Sequence, residues 1–251
     1  MLKTICRYLL LFCLLTFQTK SSHAATWNHL TKGIRYSNFT HHLKNIGSTT
    51  IHAFELDPKK VAFDLLLSPK NTLGSSIKQL AQEKNALIAI NGGFFTEKHQ
   101  SIGLLMKDGK RVNQLHKTSW WSIFLIEKNI PKIVKPNKFA EKQSIQIAIQ
   151  AGPRVVINGS IPKFKDQITN RTAVGINKKN KVIFLVTEGN GVLLKELGEI
   201  FRIKLLCQNA MALDGGSSTQ AYAKIGKFHL DISGRTKVTN GLGVFRKVSK
   251  Y

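Results

Sequence analysis

The sequence predicts an α+β fold, a single strand-dominated domain of mixed β-sheets with a few helices. Three observations predict it. Short β-branched and aromatic runs recur between Gly, Asn, Asp and Lys from Ile51 onward. Only two stretches carry helical periodicity. No Pro/Ser-rich linker, repeat or low-complexity tract divides the chain.

At the N-terminus, Lys3 and Arg7 precede an apolar run over residues 9–17, followed by the small-x-small site Ser22-His23-Ala24. This predicts a secretory signal peptide over residues 1–24 and hence a secreted or periplasmic protein. The apolar run is shorter than the roughly 20 residues a membrane span needs. Residues 25–49, which include His41-His42, read as a polar lead-in, and the domain is expected over residues 50–251. Strands are expected at 61–67, 86–90, 122–127, 145–150, 154–158, 172–176 and 181–188. One helix is expected over 75–84, with Ile77, Leu80, Ala81 and Lys84 at helical spacing behind a serine cap. A second begins near Val192, where Leu193, Leu194, Leu197, Ile200 and Phe201 form an apolar stripe.

Cys6 and Cys13 leave with the leader, so Cys207 remains alone and no internal disulfide can form. Stability must come from a core, in which Cys207 reads as a small buried hydrophobe. Lys3, Arg7 and Lys20 also leave, lowering the net charge from +24 to +21. Such a charge favours electrostatic contact with anionic membrane or envelope surfaces. Eight of the 38 basic residues are Arg, and many lysines sit in turn-like runs. No Arg-and-aromatic stripe marks a nucleic-acid module, so no specific nucleic-acid partner is expected. The histidines show no metal-ligand spacing, and no cofactor is predicted.

Each predicted helix leads through a strand into a Gly-Gly stretch: LIAINGGFFT at residues 87–96 and ALDGGSSTQ at residues 212–220. Either could be an ordinary turn. Two of one kind suggest a site, because glycine lets backbone N–H groups approach an anionic ligand that a Cβ would block. Ser217, Ser218 and Thr219 could add donors, and Asp214 could orient them or act as acid or base.

Several ordered stretches resemble the phosphodiester glycosidase family, with its N-acetylglucosamine-1-phosphodiester α-N-acetylglucosaminidase-like domain. They are AINGGFF, IGLLMKDGK, QAGPRVVINGS, NRTAVGI, ALDGGSST and VTNGLGVF, spanning roughly residues 50–246. CQNAMALDG, at 207–215, is closer to the uncharacterised exported bacterial branch, and Ser217 stands where the family signature has a third glycine. The resemblance implies that Asn91, Arg171 and Asp214 share one catalytic cleft. It further implies substrate contacts from Gly92, Gly93, Phe94, Phe95, Thr172, Gly215, Gly216, Ser217, Ser218 and Asn240.

The chemistry is compatible, since an arginine suits a phosphate and a carboxylate is needed near the anomeric carbon. Of the 14 carboxylates, Asp214 and Glu188 end apolar runs, and Glu188 is the candidate second member of a glycosidase pair. Glu188 also reads as a turn residue, and Arg171 as a surface residue before a strand. Trp120-Trp121 could stack on a sugar, but strand alternation would send only one of the two toward a cleft. The expected function is an exported hydrolase cleaving a sugar from a glycosyl phosphodiester. The alternative is a non-catalytic binding protein for anionic glycans or other envelope polyanions. N-terminal sequencing of the exported form should begin within two residues of Ala25; an intact Met1 on soluble protein would remove the compartment expectation.

Overall fold

A computed structural model gives the protein's structure and describes residues 24–43, 46–70 and 72–247. The predicted leader lies, apart from Ala24, outside the described residues. Three sheets form one strand-dominated α+β unit, as the sequence predicts.

The first sheet runs, in spatial order, through Asn28–Thr31, Ile34–Leu43, Gly47–Leu56, Val182–Gly189, Thr172–Asn177, Cys207–Ala212 and Arg154–Val156. The second runs through Lys110–Asn113, Leu105–Lys107, Ile145–Ala151, Ser122–Glu127 and Ile130–Val134. The third runs through Phe228–Ile232, Ala221–Ile225, Ile88–Asn91, Asn240–Arg246 and Val61–Leu67. Residues 25–49, expected as a lead-in, supply two strands of the first sheet and the start of a third. Their pattern is masked because Ser37 is buried beside Ile34 and Tyr36, so apolar and polar residues do not alternate cleanly.

Every ladder among the described strands is antiparallel, where mixed sheets are expected. The reason lies in the two helical crossovers. Val61–Leu67 connects through helix Ile77–Lys84 to Ile88–Asn91, which would make a parallel pair. Asn240–Arg246 inserts between them, antiparallel to both. Likewise Val182–Gly189 connects through the second helix to Cys207–Ala212, and Thr172–Asn177 inserts between those two. The fold therefore contains two split β-α-β units, one in the third sheet and one in the first.

Each helix covers the outer face of its own sheet. Ser76 Oγ caps the first by accepting from Gln79 N at 3.1 Å, and Asn85 ends it in the left-handed region at φ 55°. Its Ile77, Leu80 and Ala81 pack on Leu66, Ala89 and Tyr222. The second helix, Leu194–Glu199, starts with the Glu196 carboxylate accepting from Leu193 N at 2.9 Å, and passes into a π-turn over Ile200–Lys204. Leu197, Ile200 and Phe201 pack on Ala173, Ile183 and Ala210. Burial at this junction pushes the Cys207 thiol up, so it stays a neutral packing group. The inner faces of all three sheets share one core, including Phe54, Phe184, Phe124, Ile149, Ile90 and Leu242. Among the described residues no helix is long and apolar enough to cross a membrane.

Gly175 fixes how closely the second helix approaches the first sheet, since a Cβ there would lie 2.6 Å from Phe201 Cε1. Gly175→Val should therefore lower unfolding stability by about 2 kcal/mol through overpacking, as read from urea denaturation.

Candidate active site

The two split units bring their Gly-Gly strand ends together across the boundary between the third and first sheets. Asn91 ends a strand of the third sheet with its side chain wholly buried. Its Nδ2 donates to the Asp214 carbonyl at 2.7 Å, while its Oδ1 accepts from Thr172 Oγ1 at 2.6 Å and Gln220 N at 3.0 Å. Asp214 N in turn donates to the Gly92 carbonyl at 2.9 Å. The predicted neighbours Asn91, Thr172 and Asp214 are thus joined, but Asn91 and Thr172 face each other in the interior rather than open space.

The glycines serve the protein's own backbone. Gly93 N donates to Asn240 Oδ1 at 2.7 Å and Gly92 N to the Asn240 carbonyl at 3.0 Å. Gly215 N donates to Asp214 Oδ1 at 3.0 Å and Gly216 N to the Asn170 carbonyl at 2.8 Å. These N–H groups are committed within the protein, which corrects the expectation that they are offered to an anion. The absence of a Cβ matters for packing: at Gly92 it would lie 2.1 Å from Asn240 Oδ1, and at Gly215 2.8 Å from the Asn170 carbonyl oxygen.

A pocket of about 420 Å³ opens beside this junction. Asp214, Gly215 and Gly216 line it together with Arg171, Phe94 and Trp120; Gly152, Pro153, Gln167, Thr169, Leu194, Ala212 and Leu213 complete the wall. The Arg171 guanidinium is buried, with Nε donating to the Val192 carbonyl at 3.1 Å and Nη2 to the Gln167 carbonyl. No carboxylate pairs with it among the described residues, and Nη1 makes no hydrogen bond to any of them. Burial pushes its pKa down from the usual guanidinium value. A buried guanidinium held by neutral carbonyls is a strong site for a planar or tetrahedral oxyanion.

Asp214 is half-buried and also has no cationic partner among the described residues. Burial pushes its carboxyl pKa up, while the Ser218 hydroxyl and the Gly215 N–H pull it partly back. The pocket wall therefore carries one unpaired anion and one unpaired cation. The Arg171 backbone N donates to Thr187 Oγ1 at 2.8 Å, and that hydroxyl donates to Asn170 Oδ1 at 3.0 Å.

Glu188 is not brought to this pocket. Successive strand residues face opposite ways. Thr187 turns toward Arg171, so Glu188 turns to the other face and meets His52 Nε2 at 3.1 Å, with His52 Nδ1 2.7 Å from the Tyr36 hydroxyl. Gly92, Gly93 and the buried Ser218 are not on the wall, and three further predicted contacts also lie off it. Phe95 stacks on His99 with ring centroids 5.4 Å apart, Asn240 is buried against Gly93, and Ser217 is exposed with its carbonyl accepting from Arg235 N and Thr236 N. Of the tryptophan pair, Trp120 is exposed on the pocket wall, and Trp121 is buried against Phe94 and His116. Gln167, Thr169 and Leu194 escaped sequence reasoning because no residue pattern links them to Arg171. Among the described residues no group of three or more His, Cys, Asp or Glu side chains could hold a metal ion.

Residues 84–245 match the phosphodiester glycosidase family model. Over 156 residues the chain is 24% identical to the uncharacterised protein YigE of Escherichia coli (strain K12), covering 55% of this chain and 61% of that one. Over 173 residues it is 27% identical to N-acetylglucosamine-1-phosphodiester alpha-N-acetylglucosaminidase of Bos taurus, covering 57% of this chain and 32% of that one. The chain thus matches less than two thirds of the length of either relative. The solved zebrafish catalytic domain of N-acetylglucosamine-1-phosphodiester alpha-N-acetylglucosaminidase, auto-inhibited by its pro-peptide, aligns with a TM-score of 0.71 at 19% identity, covering 90% of this chain and 87% of that one. A hypothetical protein from Synechocystis aligns with a TM-score of 0.60 at 16% identity, covering 86% and 62%. At these identities the structural likeness concerns the fold.

The unpaired Asp214 carboxylate generates a stability prediction. Because its pKa is raised in the fold, the folded state keeps a proton that the unfolded chain has already lost. Stability therefore falls as pH rises from the ordinary carboxylate value to the raised one, and stays lower above it. Asp214→Asn should be more stable than the parent at pH 7 by about 1 kcal/mol. The gap should close below the ordinary carboxylate range, as measured by urea denaturation across pH.

Proposed function

The chain belongs to the phosphodiester glycosidase family, a hydrolase family, and from that membership we propose that it is an exported hydrolase cleaving a sugar from a glycosyl phosphodiester. The observation that carries this reading is the pair of unpaired charges, Arg171 and Asp214, on the wall of one pocket. In it, Arg171 holds the phosphodiester through its free Nη1 and stabilises the phosphomonoester leaving group. That group departs without needing protonation, so one carboxylate suffices. Asp214 accepts a proton from water, or attacks the anomeric carbon itself, and its raised pKa strengthens it as a base near neutral pH. Trp120 offers its exposed face to the sugar ring, backed edge-on by Trp121 with centroids 5.4 Å apart. Asn91 is a positioning residue, fixing the Asp214 backbone from behind. The name of the Bos taurus relative makes N-acetylglucosamine phosphodiesters the first substrates to try.

A half-buried carboxylate with a raised pKa beside the anion site supplies the proton-accepting group that hydrolysis needs and binding alone does not, which favours the hydrolytic reading. Asp214→Asn should lower kcat by at least about 100-fold while leaving KM similar or lower, because repulsion of the phosphate is relieved. Arg171→Ala should lower kcat/KM by about 100-fold with a raised KM, since the cation also binds the ground state. In the parent, the acidic limb of the kcat/KM profile should lie above the ordinary carboxylate range. Steady-state assays of sugar release from N-acetylglucosamine phosphodiesters read all three; full activity of a folded Asp214→Asn protein would refute the assignment.

A further inference from the structure

Next to the Asp214–Arg171 pocket lies a second one of about 460 Å³, lined by Lys163, Lys195, Arg202, Asp166, Glu199 and Phe164, with Ile161 and Pro162. The two share a border built from consecutive residues. Asp166 lines the second pocket and Gln167 the first; Lys195 lines the second and Leu194 the first. Gln167 also touches Arg171 directly, because its carbonyl accepts from Arg171 Nη2. A ligand extended past Gln167 and Leu194 would meet residues of the second pocket.

The chemistry of the second wall is specific. Three cations gather there, and none forms an ion pair with another described residue. Unpaired cations clustered in a concavity suit a phosphate. The two carboxylates, Asp166 and Glu199, are also unpaired among the described residues, and carboxylates accept hydrogen bonds from hydroxyl groups. Phe164, half-buried against the helix-side core, gives an apolar patch beside them. A bare polyanion would be repelled by the carboxylates, and a lipid surface would not reach into a concavity. A phosphorylated sugar uses all three features.

We propose that this second pocket binds the next phosphorylated sugar unit of the substrate, so that the substrate class is a glycan with repeating phosphodiester links rather than a sugar bearing a single phosphodiester. The inference rests on the reading that the first pocket takes a sugar phosphodiester. Binding, measured without turnover, separates the two. In an Asp214→Asn background, oligomers of N-acetylglucosamine 1-phosphate with one and with four phosphates are titrated calorimetrically. The four-phosphate oligomer should bind more tightly. In a Lys163→Gln/Lys195→Gln/Arg202→Gln variant, the ratio of the two affinities should fall by about tenfold, the order expected of three exposed charge contacts. Circular dichroism and the melting temperature check that the exposed substitutions leave the fold intact. Equal affinities for the two lengths in the parent background, or an unchanged ratio in the variant, would overturn the proposal. So would a variant that loses binding to phosphatidylglycerol vesicles while keeping its oligomer ratio, which would make the surface membrane-facing. Failure of the hydrolysis assay with this binding pattern intact would refute the proposed activity alone.

Discussion

One buried amide holds the site together. Asn91 belongs to the third sheet, yet its hydrogen bonds go to Thr172 of the first sheet and to both ends of the segment from Asp214 to Gln220. Gln220 extends the tie, since its Oε1 accepts from Ile77 N at 3.0 Å and so satisfies the first turn of the helix that precedes Asn91. Helix start, strand end and the loop carrying Asp214 become one connected set. A buried side chain with three such partners is costly to misplace, because each orphaned group would keep its desolvation cost. The relative position of two sheets therefore depends on polar geometry as well as on the shared apolar core.

The same construction explains how two charges persist unpaired. Arg171 is held by the carbonyls of Gln167 and Val192, which stabilise a cation without neutralising it. Asp214 is held by its own loop through Gly215 N and the Ser218 hydroxyl. Elsewhere several acids with buried or half-buried carboxylates are paired: Glu55 with Arg35, Asp57 with Lys181, Asp231 with Lys78. Leaving Asp214 and Arg171 apart costs stability, and that cost is intelligible where an anionic substrate completes the arrangement.

Much of this was legible in the sequence, and what was missed has physical causes. Strands at Val61–Leu67 and Ser122–Glu127 follow from unbroken apolar runs, and the Ser76 cap and Ile77, Leu80, Ala81 spacing mark the first helix. The likeness of the two Gly-Gly stretches has its origin in the two split β-α-β units, each ending at the same junction. That a late strand, Asn240–Arg246, would insert between Val61–Leu67 and Ile88–Asn91 is a long-range choice that no local pattern carries. Burial of Ser37 hid the second strand. Glu188 looked like Asp214 because both end apolar runs; strand alternation sends it to the other face, where it meets His52. The glycines were visible as a feature, but their partners, Asn240 and Asn170, lie far along the chain.

The central claim is that the pocket cleaves the bond between the sugar and phosphate at carbon rather than at phosphorus. Hydrolysis of an N-acetylglucosamine phosphodiester in ¹⁸O-water, followed by mass spectrometry of both products, tests this directly. The account predicts that the label enters the released sugar and that the phosphomonoester stays unlabelled. Label in the phosphomonoester would mean attack at phosphorus, and would contradict the roles given to Asp214 and Arg171.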